Sequence, residues 1–299
     1  MHQLDIFLDS REVTLANEVI AALLARDSES AAHGIARLRA EAPERSDLPC
    51  FDRLNDFLQL FQHADFSLLD ADAIEVAVDV LATRIVPCAR VLGRAGKDFL
   101  GFFWRRLAQA AGAPFDPERS QLHAAELYLR AEAYDRVEEA ASAVAGHSRH
   151  PAVLRWRAIA CHRRSGLRAT RLPIFLFAWH APASFVDLLG ELDDSRLEKE
   201  WVAFQAEAED LDASWFPAWL LLRHPAVLLD LHVSLAGRFD EHATAAEIPA
   251  MQACLLLVGI LDLEKSGHSR RLVEQRAHLR AIDQGFFALY MQSRDVCYR

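Results

Sequence analysis

The stretch from Ser120 to Pro182 constrains the fold more than any other part of the chain. Tyr128, Tyr134, Val137, Ala141 and Val144 recur at helical spacing, a proline follows at 151, and the pattern then begins again. Trp156, Ile159 and Ala160 give the second cycle a large residue, a second large residue three positions on, and a small one directly after it. Short amphipathic helices repeated in this way leave an apolar stripe on each helix. Such stripes are buried by stacking one helix on the next.

The rest of the chain reads in the same register. Leu15, Val19, Ile20, Leu23 and Leu24 form one helical face, and Arg26-Asp27-Ser28 ends it. A second helix carries Ala31, Ile35 and Leu38 and stops at Pro43, and residues 44 to 49 read as a polar loop. Phe51, Leu54, Phe57, Leu58 and Phe61 line a third helix. Asp70 and Asp72 stand where caps belong, before a periodic run through Ile74, Val78, Leu81 and Ile85. Pro87 is expected to kink or end that run. Gly93 and Gly96 break the chain ahead of a helix with Leu100, Phe103, Trp104 and Leu107. Gly112 to Pro117 is the strongest breaker in the first half. It is read as a boundary between a helical sub-domain at 1–116 and a repeat region at 117–299. Toward the end, helices are expected from about Ala246 to Lys265 and, after a Ser266-Gly267 break, from Arg270 to about Ser293. No segment shows the alternation of a strand, so the expected class is all-α.

Pro151, Pro182, Pro217 and Pro249 are 31, 35 and 32 residues apart, and the string HPAVL occurs at both His150 and His224. With the Trp156-Ile159-Ala160 opening and the Ala31-Ile35-Leu38-Pro43 closing pattern, the chain resembles the tetratricopeptide-repeat class of helical solenoid. The likeness covers chiefly 120–182 and more loosely 12–43. It implies a right-handed α-solenoid of roughly six to eight hairpins, and such a scaffold binds a protein or peptide partner without implying a reaction.

Composition bounds the function. The chain has 299 residues, 52% of them hydrophobic, with a formal charge of -10. That charge argues against direct nucleic-acid binding, because phosphate contacts need a net-basic face. The five cysteines, Cys50, Cys88, Cys161, Cys254 and Cys297, form no C-x-x-C pair and read as small buried hydrophobes in a reducing compartment. The first ten residues lack the basic region of a signal peptide, and the apolar run near Met251–Leu263 is too short to span a bilayer. A cytoplasmic, bacterial-type protein without membrane contact is the expectation.

Two features are candidate partner sites. Gln3-Leu4-Asp5-Ile6-Phe7 resembles the pentapeptide by which bacterial replication and repair proteins dock on the DNA-polymerase sliding clamp, a short extended segment offering apolar side chains to a groove. The competing expectation, and the one favoured, is that Ile6 and Phe7 pack on the helix of Leu15, Val19 and Leu23. The second feature is the run from Arg149 to Arg171, with seven arginines and no acid. Its Arg155, Arg163 and Arg164 would form a positive stripe suited to carboxylate or phosphate partners, or else pair with acids on neighbouring helices. The aromatics from Phe175 to Trp219 read as core, with a ligand groove as the alternative. No metal-ligand spacing, phosphate loop or nucleophile elbow occurs, so no catalytic, cofactor or metal residues are expected. The expected function is a non-enzymatic interaction scaffold. A clamp-associated accessory protein of DNA metabolism and an enzyme with a dispersed site are the alternatives.

Overall fold

A computed structural model describes residues 11–61, 69–112, 114–225, 248–267 and 269–297, together with Ala64 and Phe66. Helix accounts for 82% of the structure, and no strand occurs among the described residues, as the periodicity requires. The chain divides after Ala140 into two units.

In the first unit, α1 (Arg11–Ala25) turns at Arg26 into α2 (Ser28–Glu41), which Asp27 caps by accepting from the Ser30 N–H at 2.9 Å. The two helices approach closely. A Cβ at Gly34 would stand 3.0 Å from Val19 Cγ2, so glycine is what allows this approach. Both helices pack on α3 (Leu48–Phe61) through Val19, Leu23, Leu38, Leu54 and Leu58, all buried. α3 starts at Leu48, inside the polar loop expected at 44–49. Pro49 sits in its first turn, where a missing N–H costs nothing.

Asp70 caps α4 (Ala71–Val80), with its carboxylate accepting from the Ala73 N–H at 2.8 Å. Beyond α4 the chain neither stops nor kinks sharply at Pro87. A π-helical turn at Leu81–Ile85 widens the spiral just ahead of the proline, and a 3-10 stretch, Ala89–Ala95, follows. The π register relieves the clash between a proline ring and the carbonyl four residues back. At the end of this segment Gly96 is pressed against the Ala89 carbonyl, where a Cβ would lie 2.4 Å from the oxygen. From there α5 (Gly96–Ala110) places Phe103 against Phe57, their ring centres 4.7 Å apart. α5 also packs on α6 (Ala124–Arg130), so the Gly112–Pro117 breaker lies within the first unit, between two helices in contact. Glu132, in the left-handed region, turns the chain from α6 into α7 (Tyr134–Ser142), in which the division into units falls.

The second unit begins its regular structure with α8 (Pro151–His180), bent where Gly166 takes φ 74°, ψ -179°, a conformation essentially confined to glycine. Thr170, fully buried, donates its hydroxyl to the Gly166 carbonyl at 2.9 Å, one turn back, which satisfies the O–H inside the core. Next come α9 (Phe185–Leu192), α10 (Ser195–Glu207) and α11 (Phe216–Arg223). Phe185, Phe204, Phe216 and Trp219 from these helices meet in one buried cluster, edged by half-buried Trp201. The aromatic run is therefore core.

α12 (Pro249–Lys265) packs on α11 and on α13 (Arg270–Ile282), and α13 packs on α14 (Gln284–Cys297). The single last helix expected from Arg270 to Ser293 is thus two. Asp283 leaves helical geometry, and its carboxylate accepts from the Phe286 N–H at 2.7 Å, starting α14 as a cap.

Candidate functional site: an arginine-edged cavity at the bend of α8

Helix α8 does different work on either side of Gly166. Its first half grips the turn between α9 and α10. Arg155 makes a two-pronged contact with Glu191, Nε to Oε1 at 2.8 Å and Nη2 to Oε2 at 2.5 Å. A little over two turns along the same face, Arg163 donates to the Glu191 backbone carbonyl at 2.9 Å. That carbonyl belongs to the last turn of α9, where orphan acceptors and the helix dipole both favour a cation. Beside it His162 Nε2 lies 3.2 Å from Asp194 Oδ2. Asp194 also caps α10 by accepting from the Arg196 and Leu197 N–H groups. Burial works to raise the Asp194 carboxyl, but the His162 contact and the two backbone donors hold it below the usual carboxylate range.

Arg155 and Arg163, two of the three residues of the expected stripe, are therefore turned to the fold itself and meet at Glu191. Arg164 lies exposed on the next position of the helix. The Arg155–Glu191 contact is about one-third exposed on both sides, so it stabilises by at most about 1 kcal/mol. Its main effect is to fix the register of α9 and α10 against α8. Gln3, Leu4, Asp5, Ile6 and Phe7 lie outside the described residues.

Past the bend, the second half of α8 opens onto a cavity of about 210 Å³. Leu167, Ile174 and Phe175 of α8, Leu197 of α10 and Leu220 of α11 give it apolar walls. Four polar side chains stand around them: Arg171 on α8, Arg196 and Glu200 on α10, and His224 just after α11. Glu200 is engaged already, its Oε1 lying 2.9 Å from His224 Nε2. Arg196 is exposed, and its guanidinium has no side-chain partner among the described residues. The site thus joins the carboxy end of the arginine run, at Arg171, to the start of the aromatic run, at Phe175.

The sequence reading missed Arg196, Leu197, Glu200, Leu220 and His224. The one local signal for them was the Asp194-Ser195 cap, which fixes where α10 begins and so places Leu197 with Glu200 on one side of that helix. Nothing local ties that side to Leu220 and His224, which come from another helix.

Other chemistry is sparse. Among the described residues no group of three or more His, Cys, Asp and Glu side chains is placed to hold a metal ion. Within the same residues, no single helix is long and apolar enough to cross a membrane. Burial pushes the Cys254 thiol well above the ordinary range, which makes it inert. No protein-family model matches the chain, and neither a curated protein nor a solved structure matches it.

Proposed function

We propose that the chain is a non-enzymatic interaction scaffold, built from helical hairpins in the manner of a tetratricopeptide-like solenoid, that holds a protein partner at the bend of α8. The observation that carries this reading is the apolar cavity between α8, α10 and α11, with charged side chains only around its walls. Concave apolar sites edged by a few polar groups are where proteins seat the anchor side chains of a partner. The α9–α10 turn supports it by being tied to α8 at three points, through Arg155, His162 and Arg163. A wall held in this way keeps its shape in the absence of a partner and lowers the ordering cost of binding.

Leu167, only half-buried at the cavity, offers the cleanest test. Leu167→Trp fills the space with little disturbance of the core beneath. Capture on the full chain should retain a partner that Leu167→Trp loses, with helicity unchanged by circular dichroism. The same set of proteins on both baits would remove the cavity from the reading.

The pentapeptide Gln3–Phe7 supports a second reading, docking on a sliding clamp, on the strength of its sequence alone. An enzyme with a dispersed site is the remaining alternative. It is favoured if the purified chain carries a tightly bound small cofactor and captures no protein.

A further inference from the structure

We infer that the cavity at the α8 bend takes one bulky apolar side chain from an acidic segment of the partner. This rests on the reading of the chain as a partner-binding scaffold and names the chemistry of what it binds.

Size comes first. Pockets that hold whole small ligands run to about 300–1,000 Å³, whereas an apolar cavity of about 150 Å³ accommodates a single benzene ring. At about 210 Å³ this cavity matches one leucine- or phenylalanine-sized group and leaves the rest of any ligand outside. A ligand whose one side chain is buried and whose remainder lies on the surface is a peptide segment. The five apolar walls agree, since they offer the interior no hydrogen-bonding group that a polar side chain would need.

Charge supplies the second constraint. The flanking residues of such a segment would lie beside Arg196 and Arg171, while Glu200, the one acid among the described residues at the cavity, is held by His224. The exposed Arg196 guanidinium offers a planar fork that suits a carboxylate. The chain as a whole carries -10, so an exposed guanidinium at the mouth of an apolar cavity stands against the general field and favours an acidic segment here. Lys- or Arg-flanked segments would meet like charge at the same place.

The test uses the full chain and three fluorescein-labelled dodecapeptides, read by anisotropy. One carries a central Phe between runs of Asp and Glu, the second has Ala for that Phe, and the third has Lys for the acids. The first should bind, weakening at least tenfold in the second and in the third. It should also weaken at least tenfold in Arg196→Glu and in Leu167→Trp, and with rising salt. Equal binding of the Ala peptide, equal binding of the Lys peptide, or no binding of the first would each overturn the inference. Self-association of the chain that Leu167→Trp dissolves would also overturn it, by making a second copy the occupant. The scaffold reading fails separately. A captured partner that Leu167→Trp loses, but that is indifferent to Arg196→Glu and to salt, leaves the scaffold standing and removes only the acidic chemistry.

Discussion

Phe216→Ala is expected to cost about 3–5 kcal/mol, a large share of the roughly 5–15 kcal/mol by which a domain is stable. Phe216 opens α11 and is fully buried. Its ring centre lies 5.4 Å from Phe185, 5.6 Å from Trp201, 5.7 Å from Phe204 and 6.0 Å from Trp219, so it touches a ring of α9, two of α10 and one of its own helix. Truncation loses the transfer energy of the ring and leaves a void that four large, mutually wedged rings cannot close. Phe216→Leu keeps most of the volume and should cost less than about 1.5 kcal/mol. Chemical denaturation followed by far-ultraviolet circular dichroism measures both. A loss under 1 kcal/mol for the alanine variant would mean that these aromatics are not the core of the second unit.

Glu264→Leu should be nearly as damaging, at about 3 kcal/mol, for an electrostatic reason. Glu264, at the end of α12, accepts from Arg276 of α13 at 2.8 Å and from Arg294 of α14 at 3.1 Å, and the Tyr290 hydroxyl donates to it as well. Arg276 in turn donates to the Tyr290 oxygen at 2.6 Å, and both guanidiniums lie near the Tyr290 ring. Glu264 and Arg294 are only 17% exposed. Removing the carboxylate leaves two cations mostly out of water with no counter-charge, which is why breaking such a pair costs more than replacing it whole. Adding Arg276→Met to Glu264→Leu should therefore recover part of the loss, and the double-mutant cycle reads the coupling.

Burial, then the hydrogen bond to Glu264, pushes the Tyr290 hydroxyl up to about 12. Because its folded value lies above its unfolded one, the associated stability is complete below pH 10 and is lost as pH rises toward 12. In Glu264→Leu the tyrosinate absorbance of Tyr290 should appear at lower pH. An unchanged titration would mean that Tyr290 does not depend on this carboxylate.

Much of the fold was legible because burial leaves a period in the sequence. Leu15, Val19 and Leu23 of α1 and Leu54 and Leu58 of α3 could be assigned to buried faces directly, and Asp70 is recognisable as a cap. What was not legible has local physical causes. Asp283 interrupts an amphipathic pattern that runs on unbroken past it, so the break between α13 and α14 depends on one side chain choosing to cap. The π turn ahead of Pro87 lets a helix pass a residue that normally stops one. The arginine run left two outcomes open, a positive stripe or pairing with neighbouring helices. Arg155 and Arg163 both reach Glu191, and that partner could not be named in advance because its position depends on how α9 packs. The cavity is the extreme case. Arg171, Arg196 and His224 are more than twenty residues apart in sequence, and each alone is an ordinary surface residue. Only the bend at Gly166 and the packing of three helices give them a common site.

Site-directed photocrosslinking tests the central claim most directly. Lys199 is exposed on α10, one turn beyond Arg196 and on the same side of the helix, whereas Val273 is exposed on α13. A benzoylphenylalanine at 199, irradiated in a lysate of the source cells, should give a discrete covalent adduct that the same group at 273 does not. Adding Leu167→Trp should abolish it. An adduct that forms equally at 273, one that survives Leu167→Trp, or none at either position would contradict a scaffold that holds its partner at the α8 bend.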